Sequence, residues 1–197
     1  EDLPRPIIAK PRIGFRSIGV RLVEHLEDLR EIIAHQKDYI LQEVAGPDDQ
    51  EYTCTVVATG DECSDPVALK RTLRAGDTYR AVPVDRPEIM ALLPQVARKL
   101  GVNGSCNFQL RIKDGVPLIF EINCRFSGTT PFLAQIGCNP VEYYIKKKMN
   151  LHCDWKPFED VSILRYWAEA VVDNRFLREL GEAGTIDPEV RSTSRLR

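Results

Sequence analysis

The 197-residue chain has almost no charge bias, with 27 Lys and Arg against 29 Asp and Glu and a formal net charge of -2. No broad basic field exists to hold nucleic acid or an anionic membrane, so neither is expected as a partner. No uninterrupted apolar stretch approaches the ~18 residues that a membrane span needs. The start, Glu1-Asp2-Leu3-Pro4, lacks the basic region leading into an apolar one that marks a secretory signal. A cytoplasmic protein is therefore expected. The six cysteines (Cys54, Cys63, Cys106, Cys124, Cys138 and Cys153) include no C-x-x-C pair, which suits reduced thiols better than a disulfide framework or structural zinc. Histidine is scarce, and His25, His35 and His152 have no acid or nucleophile at motif spacing. Neither imidazole nor thiol catalysis is expected. The chain opens on glutamate instead of methionine, and its acidic, Pro-punctuated start reads as the edge of a cut fragment.

What is present is an ordinary globular composition, 43% hydrophobic and 28% charged, which excludes disorder and collagen-like repeats. Ile7 to Lys10 reads as a strand. A helix then follows with Leu22, Leu26, Leu29 and Ile33 on one buried face, and the loop Pro11 to Gly19 lies between them. Tyr39 to Val44 predicts a second strand, closed by Gly46-Pro47-Asp48-Asp49. Glu51 to Ala58 alternates, with Tyr52, Cys54, Val56 and Ala58 on one side, and Pro66 to Leu73 predicts a further strand, so the architecture is antiparallel. Asp85-Arg86-Pro87-Glu88 opens a helix with Asp85 as N-cap. Ile89, Leu93, Val96 and Leu100 form its stripe, and Pro94 should bend or divide it. Asn139-Pro140-Val141-Glu142 repeats that grammar and opens a helix through to Met149. Ile163 to Val172 predicts a last strand, and Arg191 to Arg197 a loose tail.

The hairpin between these helices, Ser105 to Ile112 and Pro117 to Phe126 around Lys113-Asp114-Gly115, carries the chemistry. Its even positions (Cys106, Phe108, Leu110, Ile112, Leu118, Phe120, Ile122, Cys124 and Phe126) are apolar and predict a core face, whereas Asn107, Gln109, Arg111, Glu121, Asn123 and Arg125 are polar. Side chains two apart on a strand share a face. A two-residue Asp114-Gly115 turn would pair odd with even positions and set Phe108 across from Glu121. A three-residue loop with a left-handed Gly115 keeps parity and is the turn expected. It gathers Gln109, Glu121 and Asn123 into a set of oxygen donors suited to Mg²⁺, which takes one or two carboxylates and completes its shell with water and phosphate. A solvated sheet face is the ordinary reading of an isolated E-I-N-C-R, and its sequence context reverses that reading.

Several motifs fall in one order: K-P-R-I-G-F-R-S-I-G-V, I-L-Q-E-V-A-G, E-Y-T-C-T-V-V, L-K-R, C-N-F-Q-L and F-E-I-N-C-R-F-S-G-T-T. From about Pro6 to Met149 the chain resembles the ATP-grasp superfamily, and its F-Q and E-I-N-x-R pieces resemble the carbamoyl phosphate synthetase large-subunit branch. The resemblance implies an α+β fold, with a lid subdomain over residues 1–45 and an antiparallel-sheet base with flanking helices and the metal site over 46–153. A strand and helix extension with a tail would occupy 154–197. It further implies ATP with Mg²⁺ or Mn²⁺ as cofactors and Gln109, Glu121 and Asn123 as metal ligands. Lys10 matches the basic strand residue on the ATP phosphates. The loop from Gly14 through Ser17 to Gly19 resembles the lid over them, with Ser17 and backbone N–H groups as donors. Arg16 stands where the family has a second glycine, and either contacts phosphate or spoils the lid. Glu43, Val44 and Ala45 match the linker that pairs with adenine, and Glu51 the acid on the ribose hydroxyls. Of Lys70 and Arg71, Lys70 is the residue expected to reach phosphate or substrate, and Arg125 the one expected to hold the acyl phosphate or its parent carboxylate. Gly128, Thr129 and Thr130 form either a turn capping the next helix or a donor loop around the acceptor carboxylate.

The resemblance implies an ATP-dependent carboxylate–amine ligase module that works through an acyl phosphate on small-molecule substrates. A homodimer, or an N-terminal domain not contained in these residues, is expected to complete it. The rival is a non-catalytic nucleotide-binding or subunit-interface module with the same fold. Arg16 favours that rival, and the intact Gln109, Glu121 and Asn123 trio opposes it.

Overall fold

A computed structural model describes residues 6–14, 17–35, 38–60 and 62–166, with positions 174, 178, 181 and 182. Contacts group Glu1–Arg165 into one compact unit and Tyr166–Arg197 into a second. The first unit contains β1 (Ile7–Pro11), β2 (Arg21–Val23), α1 (Leu26–His35) and β3 (Tyr39–Glu43). Its strands form an antiparallel sheet ordered β2-β1-β3. Ile7 and Ala9 of β1 and Val23 of β2 pack on Leu29 and Ile32 of α1. The helical face predicted from Leu22, Leu26, Leu29 and Ile33 is therefore corrected, because only Leu29 is buried, while Leu22 and Ile33 are 55% and 60% exposed. Leu22 pairs with Ile8 in β2. Alternation turns the next residue, Val23, inward in its place.

After a 3-10 turn at Asp48–Gln50, the base comprises β4 (Glu51–Thr59), β5 (Glu62–Cys63), β6 (Val67–Arg74), β7 (Asp77–Val84), α2 (Pro87–Lys99), β8 (Gly104–Lys113), β9 (Val116–Asn123), α3 (Thr130–Gln135), α4 (Pro140–Lys148) and β10 (Ile163–Leu164). The seven-stranded sheet runs β10-β7-β6-β4-β8-β9, with β5 paired to β4. On one face Tyr52, Cys54 and Val56 of β4 and Phe108 and Leu110 of β8 pack against Ile89, Leu93 and Ala97 of α2. On the other, Val67, Leu69 and Ala81 pack against Phe132, Leu133 and Ile136. Because β10 pairs with β7, the segment after residue 153 returns to the base sheet. The strand expected through Val172 is shorter, ending at Leu164, with Arg165 and Tyr166 outside it, and residues 167–172 lie outside the described residues.

Local grammar holds at α4, where Asn139 Oδ1 accepts from the Val141 and Glu142 amides at 3.0 and 3.3 Å and Pro140 occupies the first turn. It fails at α2. The N-cap is Arg86, without a side-chain capping bond, and Asp85 lies outside. Pro94 sits within one continuous helix, and Leu100, expected in the stripe, is 55% exposed where Ala97 is buried.

The β8–β9 turn is also corrected. Lys113 pairs with Val116, so the loop is the two residues Asp114-Gly115, both left-handed at φ 52° and 77°. Parity is restored further along. Leu110 pairs with Ile119 but Gln109 with Glu121, so Phe120 is an extra residue in β9. A bulge of this kind sets two residues against one. It shifts Ile119 against the α2 core and Phe120 into the cleft wall, where the unbroken even series had placed Phe120 in the core. Phe108 is fully buried, as the parity argument requires, but the core face is corrected at Ile122 and Phe126, which are exposed at the edge strand and beyond its end.

Candidate active site

A cavity of about 550 Å³ lies between the three-stranded sheet and the polar part of the base sheet. This is the size of a small-molecule site. Its described lining carries six cationic side chains (Lys10, Arg12, Arg71, Arg111, Arg125 and Arg165) against four acids (Glu43, Glu51, Asp77 and Glu121), a balance that favours an anionic ligand.

Lys10, on β1, enters from the lid side and donates to the Phe120 carbonyl at 2.8 Å, so the bulge supplies the acceptor that ties β1 to β9. Gly14 and Ser17 line the cavity. Ser17 is left-handed at φ 57°, and its carbonyl accepts from the Val20 amide at 3.2 Å. Gly19, expected beside them, is not in the wall. Its φ is +77°, a Cβ there would lie 2.9 Å from Pro11 Cγ, and its carbonyl accepts from the Tyr39 hydroxyl, so its work is to close the loop. Arg16 lies outside the described residues. Glu43, Val44 and Ala45 line the cavity where β3 ends. Gly46 follows, left-handed and with room for a Cβ only 3.3 Å from Lys113 Cβ.

Opposite them, register aligns the polar residues. Thr53 pairs with Gln109, and Gln109 with Glu121, while Asn107 pairs with both Thr55 and Asn123. Gln109 Nε2 and Asn123 Nδ2 donate to the same oxygen, Glu121 Oε1, at 3.2 and 2.6 Å. The expected trio is thus assembled. Among the described residues no three His, Cys, Asp or Glu side chains cluster as a metal site. A cation here would rest on one carboxylate and carboxamide oxygens, an all-oxygen set that fits Mg²⁺ or Mn²⁺ when phosphate and water complete the shell.

Glu51 is buried, with Oε1 held by Arg71 at 2.6 and 2.9 Å and Oε2 by Arg111 at 2.7 and 3.0 Å. Arg111 also donates to the Gly46 carbonyl and pairs with Asp48. Two guanidiniums on one carboxylate neutralise its burial, and a ribose hydroxyl would have to displace one of them. The choice of Lys70 is corrected. Lys70 pairs with Tyr52, whose ring belongs to the α2 core, so its side chain leaves from the far face. Arg71, one position on, lines the cavity.

Arg125 is exposed at the cavity edge, with Nη1 on the Phe126 carbonyl. Ser127, Thr129 and Thr130 bond among themselves, and Gly128 offers its carbonyl to Arg165, which stacks on Phe132 at 4.7 Å. Sequence reasoning missed Arg165, which no motif marks. It read Arg111 as polar but could not see its partners. Burial pushes the Cys106 and Cys138 thiols up to about 12 and raises that of Cys54 as well. His25 and His152 are exposed.

A lid sheet and an antiparallel base enclosing a cation-rich cleft, with a Gln-Glu-Asn row on adjacent strands, define an ATP-grasp domain. The chain belongs to the family described as ATP-grasp in the biosynthetic pathway with Ter operon, whose profile matches residues 36–168. It is 26% identical over 145 residues to the carbamoyl phosphate synthase arginine-specific large chain of Geobacillus stearothermophilus, covering 68% of this chain and 14% of that protein. The chain thus spans a small part of that relative. N5-Carboxyaminoimidazole synthetase of Staphylococcus aureus, solved with ADP, superposes with a TM-score of 0.63 at 14% identity over 76% of this chain and 43% of its own. Carboxyaminoimidazole ribonucleotide synthase of Aspergillus clavatus, solved with ATP, gives 0.62 at 15% over 82% and 44%. At such identities the likeness establishes the fold. Among the described residues no helix is long and apolar enough to cross a membrane.

Proposed function

We propose that the cleft binds ATP with Mg²⁺ or Mn²⁺ and that the chain is the nucleotide-handling part of a larger cytoplasmic carboxylate–amine ligase. The observation that carries this reading is the meeting of Gln109, Glu121 and Asn123 with Lys10 and Arg125 in one cavity. The linker Glu43-Val44-Ala45 faces the adenine edge and Glu51 the ribose. Lys10, Ser17 and the backbone around Gly14 receive the phosphates. Glu121 and Asn123 would hold the cation together with Gln109, and the cation, when bound, neutralises charge on the transferred phosphoryl. Arg125 orients the substrate carboxylate, whose oxygen attacks the γ-phosphorus as ADP leaves. The incoming amine then attacks the acyl carbon, the bond to phosphate breaks, and inorganic phosphate leaves carrying the proton lost from nitrogen. Positioning and charge neutralisation account for the chemistry, and no protein nucleophile is required.

Binding of a fluorescent ATP analogue, measured with Mg²⁺ and with chelator, tests the reading. Affinity should depend on the cation, and Glu121→Gln should weaken the cation-dependent part about tenfold or more, equivalent to about 1.4 kcal/mol. Equal affinity with and without the cation, or an unaltered Glu121→Gln variant, would overturn it.

A further inference from the structure

The Gln109 carboxamide has a fixed sense. Its Oε1 lies 2.8 Å from Arg71 Nη2, and a guanidinium only donates, so the atom facing it must be oxygen. The nitrogen is consequently the atom facing Glu121, an acceptor-only carboxylate, at 3.2 Å. Gln109 thus presents a donor where a metal ligand must present an acceptor. Arg71 is not free to drift from it. Its Nε and Nη2 are both anchored on Glu51 Oε1, and Glu51 Oε2 is anchored in turn by Arg111. A continuous polar chain therefore runs from the Gly46 carbonyl through Arg111, Glu51, Arg71 and Gln109 to Glu121. One end lies at the linker and the other at the cation row.

Resting on the nucleotide–cation reading of this cleft, we infer that Arg71 is a positioning residue that withholds the Gln109 oxygen from the cation shell until a ligand draws on Glu51. In the nucleotide-free protein the shell is then Glu121 with Asn123, whose carboxamide also turns its nitrogen to Glu121 but, unlike that of Gln109, has no guanidinium of the described residues on its oxygen and is free to flip. Ribose hydroxyls competing for Glu51 would loosen Arg71 and let the carboxamide rotate, so that occupancy of one end raises cation affinity at the other. Such coupling is reciprocal.

Mn²⁺ binding to the nucleotide-free chain, followed by the electron paramagnetic resonance of free Mn²⁺, reads this directly. Arg71→Met should tighten Mn²⁺ binding at least about fivefold, and the gain should vanish in the Arg71→Met/Gln109→Leu double variant. If Arg71 acts only through its charge, the gain persists in the double variant, and that result overturns the inference. Arg71→Lys retains the charge and a single-point contact to Glu51. It should give a smaller gain with the same dependence on Gln109, which keeps the test open should the methionine variant not fold. No gain in any folded Arg71 variant also overturns the inference. Glu121→Gln in the same assay separates the two readings. If it leaves Mn²⁺ binding intact the cation site itself is wrong, whereas if it abolishes binding while the Arg71 and Gln109 effects merely add, only the latch is wrong.

Discussion

β4 and β8 carry two kinds of interior on one pair of backbones. Toward α2, Tyr52, Cys54, Phe108 and Leu110 have no exposed surface and are held by shape. Toward the cleft, Glu51, Thr53 and Asn107 are nearly as hidden, at 6%, 3% and 2%, yet they are held by named partners. Asn107 donates to Thr53 Oγ1 at 2.8 Å and to the Cys54 carbonyl, and Glu51 accepts from two arginines. Among the described residues no buried side-chain polar atom lacks a hydrogen bond. Burial alone therefore does not tell core from site. The apolar face loses stability in proportion to volume removed, whereas the polar face is a network in which each member depends on its neighbours.

The sharpest way to break that contrast is Phe108→Ala, which should cost about 3–5 kcal/mol by urea denaturation, since the ring is enclosed by α2 and its own sheet. A loss under 1 kcal/mol would mean that the packed face is not the stability reserve. Next is pH. Cys54 and Cys106 on that face, and Cys138 beneath α3, stay protonated in the fold above the ordinary thiol value of 9.0. The unfolded chain releases these protons first, so stability should be full below pH 9 and fall as pH rises toward 12. The urea midpoint at about pH 10.5 should lie below that at about pH 8. Asn139→Ala removes the α4 cap and should cost about 1 kcal/mol in thermal unfolding. Glu121→Gln should change stability least, within about 0.5 kcal/mol, because the residue is exposed. The same variant should suppress cation-dependent nucleotide binding, and a large stability loss would blur the two faces into one.

The sequence discloses this division unevenly. Alternation in Glu51 to Ala58 and in the β8–β9 hairpin separates the faces, and family motifs mark the Gln109, Glu121 and Asn123 row. Register is harder to read. Lys70 and Arg71 look alike in sequence, and only the pairing of Tyr52 with Lys70 reveals which points at the cleft. The hairpin was readable only beyond Phe120, since a tight Asp114-Gly115 turn and a bulge at Phe120 cancel there to give the parity of one longer loop, whereas between them Leu118 lies opposite Arg111. β2 is three residues long and hides in a helical spacing through Leu22. β7 contains Pro83 and follows the left-handed Ala75-Gly76 turn, which masks its strand character. The partners of Glu51 come from β6 and β8, at sequence distances where no local pattern operates.

The placement of β4 also shapes how the chain reaches its fold. Cys54 has one neighbour in the hairpin that follows, Ala68, and another far downstream, Phe108. The first pairing closes a short loop, whereas the second must wait for α2 and β8 and carries a larger loop-closure entropy. Until β8 docks, β4 has an open hydrogen-bonding edge flanked by Tyr52, Val56 and Val57, a transient template for association with other chains. During synthesis this edge stays uncovered until the ribosome has released β8, so the emerging chain is most vulnerable to aggregation in the interval between its sixth and eighth strands.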